Sequence, residues 1–227
     1  MKRPFEEYHL HVNSVGRRPR DPGDRLSTRR EILAATDRLL RRHPYSEVTA
    51  EALAAEAGVS TAELGEHFED VTEVVLSLLT EMGLELYGVA ERWLQDAQIE
   101  QEAELGFNAA ARVWLRAIVD FFYRNGAVVR TLSEASLTDE RIARAYNGFL
   151  DRFTELTAFG LDRMVTDGRI EPLDPWPVAR ALNMMNERYL LAEFGHGQQG
   201  SPDAALKTLE TIWLRAFAPT GVGRRAH

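Results

Sequence analysis

Asn183 and Asn186 are the side chains in this chain best suited to orienting a small molecule. Three residues apart, they share one side of a helix rich in Leu, Met and Ala. A polar pair in an apolar wall is what a pocket needs to fix a ligand's orientation. The same spacing also suits a hydrogen-bonded pair at a dimer interface or on a solvent face. Phe121, Phe122, Tyr146, Phe149, Phe153 and Trp213 crowd into two or three helices. Any one of these rings reads as core. Together they are denser than a close-packed core needs, and an elongated apolar cavity would use them as walls. Chemistry of turnover has little to work with. The six His are His9, His11, His43, His67, His196 and His227, in arm, turns and tail, and there is no Cys. No His stands at metal-site helical spacing with a second His. No Ser sits in a nucleophile elbow. The chain reads as a binder rather than an enzyme, with no cofactor and no metal.

Helices must carry these residues. Thr28-Arg-Arg-Glu31 predicts a capped helix start, with Ile32, Ala35, Leu39 and Leu40 on one face. Pro44 ends that helix. Thr49 caps a short second helix bearing Leu53, Ala54 and Ala57, and Gly58 supplies a turn of positive φ. Ser60-Thr-Ala-Glu63 is a second capping box, opening a third short helix with Leu64 and Phe68 inward. Helix, helix, glycine turn, helix within about forty residues is the helix-turn-helix pattern. Residues 71–98 read as one long helix, followed by helical blocks over 106–125 and 139–166. Asp174-Pro175 and Ser201-Pro202 each start a further helix, over about 175–194 and 202–217. No period-two alternation appears, so the fold class is all-α.

Composition bounds the setting. The chain has 227 residues, 44% of them apolar, and a net charge of −8. Its start lacks the apolar core of a signal peptide, and no apolar run approaches the roughly 20 residues that span a bilayer. A reducing, cytoplasmic compartment is expected and no membrane partner. Charge is distributed unevenly. Between Arg42 and Arg92 there are eleven acids and no Lys or Arg. Residues 1–30 hold eight bases against four acids, including the cluster Arg17, Arg18 and Arg20. Phosphate neutralisation dominates non-specific DNA affinity, so the fold signal and the charge signal conflict over the helix-turn-helix.

The run Ile32-Leu33-Ala34-Ala35, Val48-Thr49, Leu53-Ala54, Ala57-Gly58-Val59-Ser60, Leu64 and His67-Phe68 resembles the TetR family of bacterial repressors. Ala181-Leu-Asn-Met-Met-Asn-Glu-Arg188, with Trp114, Phe121-Phe122 and Ile212-Trp213, looks like that family's ethionamide-resistance repressor (EthR-like) branch. The resemblance implies a three-helix DNA-binding domain over 27–70 and a larger ligand-binding and dimerising domain over 71–218, about nine helices in all. A flexible basic arm (1–26) and a tail (219–227) flank them. It implies a homodimer through 175–194 and 202–217, operator DNA as partner and a hydrophobic small-molecule effector. DNA contacts would come from Thr49, Ser60, Thr61, Ala62, Gly65 and His67, with Arg17, Arg18 and Arg20 tracking the minor groove. The ligand would meet Trp114, Ile118, Phe121, Phe122, Tyr146, Phe149, Phe153, Thr157, Asn183, Asn186 and Trp213. This chain departs from the family where phosphate is usually touched. It has Thr61 for a frequent Arg or Lys, Gly65 for a Tyr and Val71 for a Lys. The alternative expectation is therefore a TetR-fold small-molecule or protein-binding module that has lost conventional DNA binding.

Overall fold

A computed structural model describes residues 22–99, 107–197 and 200–217. Among these the protein is all-helical, with eight α-helices and one 3-10 turn. That is one α-helix short of the expected nine. The helices are α1 (Pro22–Arg42), α2 (Ala50–Ala57), α3 (Thr61–His67), α4 (Val71–Ile99), α5 (Phe107–Ala135), α6 (Glu140–Thr166), α7 (Pro175–Phe194) and α8 (Pro202–Ala216).

Local signals set most boundaries. Thr49 accepts a hydrogen bond from the Ala52 amide, and Ser60 accepts one from the Glu63 amide. Each satisfies an orphan donor of its own helix. Gly58 lies at φ +71°, the left-handed cap that ends α2. Asp139, Asp174 and Ser201 cap α6, α7 and α8 in the same way.

Two expectations about elements are corrected. The box at Thr28 does not begin a helix, because α1 already starts at Pro22, so residues 22–26 belong to the helix and not to the arm. Pro suits a first helical position, and Arg25 and Arg29 anchor this turn against α3 and α4. The block over 106–125 runs on to Ala135 as one helix. Gly126 sits inside it because α5 and α7 touch there: a Cβ at Gly126 would lie 2.7 Å from the Phe194 carbonyl oxygen. Arg17, Arg18, Arg20 and the tail over 219–227 lie outside the described residues.

The core is continuous. Ile32, Leu40, Leu53 and Leu64 close the three-helix head, and Trp114, Ile118, Phe121, Leu190 and Leu209 fill the larger domain. Polar contacts join the two parts. Arg41 donates to the Arg124 carbonyl at 2.6 Å, and Thr131 donates to the Leu40 carbonyl at 3.0 Å. The Tyr45 hydroxyl lies 2.8 Å from Thr72 and 3.3 Å from the Asp139 carboxylate.

Candidate ligand site and DNA-facing surface

The candidate ligand site is a small void between α5, α6 and α8, with the α7 amides bonded to two of its lining residues. Thr157, Gly160, Leu161 and Met164 follow i, i+3, i+4, i+7 spacing on one face of α6. With Ala111, Trp114 and Trp213 they surround a void of about 10 Å³. That is room for about one water. The elongated cavity expected from the ring density is therefore not open among the described residues. The rings fill the space against each other instead. Trp114 stacks on Phe153 at 4.9 Å, Phe121 meets Phe122 edge-on at 5.6 Å, and Phe149 lies 6.3 Å from both Phe121 and Tyr146. Of the expected contacts, Trp114, Thr157 and Trp213 border the void, whereas Ile118, Phe121, Phe122 and Phe149 pack around them as core. Ala111, Gly160, Leu161 and Met164 were missed. The small residues at 111 and 160 facing two indoles were the available signal.

Both amides are interior, which excludes a solvent face. Asn183 is buried and its Nδ2 donates to the Thr157 hydroxyl at 3.1 Å, whose single proton has the Phe153 carbonyl at 3.1 Å and Asn183 Oδ1 at 3.3 Å as alternative acceptors. Asn186 is 0% exposed. Its Oδ1 accepts from Trp213 Nε1 at 3.3 Å, and its Nδ2 has no partner. A buried donor left unmade costs about 1–3 kcal/mol. Tyr146 is differently employed. Its hydroxyl donates to Glu187 on α7 at 2.5 Å. Burial first, and then the Glu187 charge, push its pKa far up, so the phenol stays protonated. It ties α6 to α7 rather than facing the void.

The candidate DNA-facing surface centres on α3. Thr61, Ala62 and Gly65 are exposed, as is Glu66. The Thr49 and Ser60 hydroxyls are both engaged as caps. His67 is held below its ordinary range, first by burial and then by the Arg25 guanidinium. It is neutral at pH 7 and returns no positive charge to the helix. A Cβ at Gly65 would meet nothing within 4 Å, so this glycine is not a packing requirement.

One carboxylate joins α6 to the head and to α4. Asp139 accepts from the Arg141 and Ile142 amides at the start of α6, and from Tyr45 in the head and Thr72 on α4. Burial alone would raise its pKa, but these donors outweigh burial and hold it below the usual carboxylate range. Arg141 pairs with Asp70 beside it.

A helix-turn-helix head on a larger helical body with an interior amide pair defines a one-component regulator fold. Two family models divide the chain accordingly. "Bacterial regulatory proteins, tetR family" matches residues 32–78, and "Transcriptional regulator EthR, C-terminal domain" matches 111–218. The HTH-type transcriptional regulator EthR of Mycobacterium tuberculosis is 30% identical over 188 residues, covering 82% of this chain and 85% of that protein. Its counterpart in Mycolicibacterium smegmatis is 28% identical over 194 residues, covering 83% and 85%. The chain belongs to the TetR family of transcriptional regulators, with an EthR-type C-terminal domain. Solved structures share the fold. Regulatory protein TetR from Rhodobacter sphaeroides superposes with a TM-score of 0.67 at 18% identity, covering 84% of this chain and 98% of that one. The fatty acid degradation regulator FadR from Bacillus halodurans gives 0.62 at 15%, covering 87% and 97%. The family assignment makes this a transcriptional regulator, and the curated relatives it matches are regulators and not enzymes. Among the described residues no helix is long and apolar enough to cross a membrane, and no group of His, Asp and Glu could hold a metal ion.

Proposed function

We propose that this chain is a cytoplasmic, ligand-responsive repressor. It binds operator DNA as a homodimer and is released by a largely apolar small molecule carrying a hydrogen-bond acceptor. The observation that carries the reading is Asn186. Its oxygen is occupied by Trp213 and its NH2 is buried without a partner, so it offers a donor only. Asn186 lies behind Trp213 rather than on the void itself, and a buried amide donor beside apolar walls suits an uncharged acceptor such as a carbonyl. A structural neighbour named for fatty acid degradation agrees with an apolar effector.

Coupling follows from α6. Asp139 and Thr157 stand 18 residues apart on it, about 27 Å at 1.5 Å per residue. A ligand larger than one water must push the void open, displacing α6 and disturbing the Asp139 contacts with Tyr45 and Thr72. The tilt of α4 follows, and the two recognition helices of the dimer leave the roughly 34 Å separation of one DNA turn. Trp176 and Met184 on α7 and Ile212 on α8 are exposed, and support pairing of these helices with their symmetry mates.

A second reading is favoured by one observation: α3 exposes Glu66, and no Lys or Arg occurs over residues 43–91. This would be a TetR-fold binding module without operator recognition. Selection from a random duplex library separates the two, followed by anisotropy titrations of the selected duplex at several salt concentrations, with and without 2-tridecanone. The repressor reading expects salt-dependent binding that the ketone weakens. Binding to no selected duplex at low salt would establish the second reading.

A further inference from the structure

We infer that Arg25, near the N-terminus of α1, grips DNA phosphate beside the recognition helix and supplies the cation that α3 lacks. The inference rests on the DNA-binding reading above. It comes from asking which arginines of the head have charge to spare. Arg38 and Arg42 both pair with Glu56, at 2.6 Å each. Arg41 pairs with Asp37 and also holds the Arg124 carbonyl. Arg29 is half-buried, lies 4.4 Å over the Phe68 ring and donates to Ser77 on α4. Arg30 borders the groove between α1 and α4, beside Glu81 and Glu85.

Arg25 differs in partner and in place. It is exposed, and among the described residues no carboxylate pairs with it. Its guanidinium reaches the Glu66 carbonyl, in the last turn of α3, at 3.5 Å. That bond is long and its acceptor carries no formal charge, so a phosphate oxygen is the stronger partner for the guanidinium. Burial first, and then the charges of Arg25 and Arg29, hold His67 below its ordinary range, and of these two guanidinium groups Arg25 is the exposed one. With α3 in the major groove and α2 across the backbone, Arg25 on α1 is placed near the DNA only by its reach to the last turn of α3. A guanidinium fixed to the last turn of the recognition helix then stands at the groove edge, where phosphates run. Thr61, Gly65 and Val71 bring no charge to this contact, and an arginine fork suits it.

The test measures log Kd against log salt concentration by anisotropy on the selected duplex, for parent, Arg25→Gln, Arg25→Lys and the control Arg152→Gln. Each phosphate contact contributes a slope of about 0.9, so a symmetric dimer should lose about 1.8 with Arg25→Gln. Arg25→Lys keeps the charge and most of the slope. Arg152, paired with Glu155 on α6, should change nothing. A parent slope retained by Arg25→Gln overturns the inference, even if affinity falls, because a loosened α3 weakens binding without altering the count of neutralised phosphates. A parent that binds no duplex in a salt-dependent way overturns the DNA-binding reading itself, and the inference with it.

Discussion

Replacing Asn186 with Leu removes a fully buried amide whose two ends are in opposite states. Its Oδ1 holds the Trp213 indole at 3.3 Å, and its Nδ2 holds nothing. Losing the acceptor strands the indole N–H, at a cost of about 1–3 kcal/mol, while losing the unpartnered NH2 returns a similar amount. Leu has the branching of Asn, but its two methyl groups are bulkier than the oxygen and NH2 they replace, so overpacking of about 1–3 kcal/mol is added at this fully buried position. Ligand-free stability should therefore fall by about 1–3 kcal/mol, a melting shift of about 2–4 °C per kcal/mol for a chain of this size. Ligand binding should not be spared. A bound carbonyl would face Leu and be buried without a donor, for another 1–3 kcal/mol or about ten-fold or more in affinity. Differential scanning fluorimetry on parent and variant, with and without 2-tridecanone, reads both quantities. A variant that keeps the full ketone-induced shift would refute the reasoning, because Asn186 would then be a structural amide.

Tyr146→Phe should spare the ligand. It leaves half-buried Glu187 without its donor and lowers stability by about 1–2 kcal/mol, while the ketone-induced shift survives in calorimetric titration. Gly65→Ala should stabilise the protein by about 0.5–1 kcal/mol, since α3 gains helix propensity and the Cβ enters open space; thermal melts check it. Tyr45→Phe should leave ketone affinity intact and reduce the effect of ketone on operator binding, because α6 then holds the head through fewer bonds. Asp139 is held below its unfolded pKa, so its contribution is present above about pH 4 and is lost as pH falls through the lower folded value. Acid melts of Asp139→Asn should lack the part of the parent's decline that belongs to this group.

Legibility in the sequence depended on how local each feature was. The turn between α2 and α3 was readable because Thr49, Gly58 and Ser60 act on amides within a few residues of themselves. The start of α1 was misread for the complementary reason. Thr28-Arg-Arg-Glu31 has the letters of a cap, but Arg25 and Arg29 are anchored on α3 and α4, more than forty residues away, and the helix begins earlier. The continuity of α5 through Gly126 depends on the Phe194 backbone, which periodicity cannot register. The spacing of Asn183 and Asn186 puts both on one side of α7 but leaves open whether that side faces a pocket, a dimer partner or solvent, and their burial and different states depend on Thr157 and Trp213. Tyr146 looked like one more wall ring because its engagement by Glu187 crosses 41 positions. The closing of the expected cavity to about 10 Å³ is a packing outcome that the count of rings could not foretell.

The account's central claim is that one apolar ligand and one operator compete through the body of the same protein. The most direct test is reciprocal linkage: operator affinity with and without saturating 2-tridecanone, and ketone affinity with and without saturating operator. Coupling through α6 predicts that each weakens the other by the same factor, typically five-fold or more. Tight operator binding that is indifferent to bound ketone would contradict it.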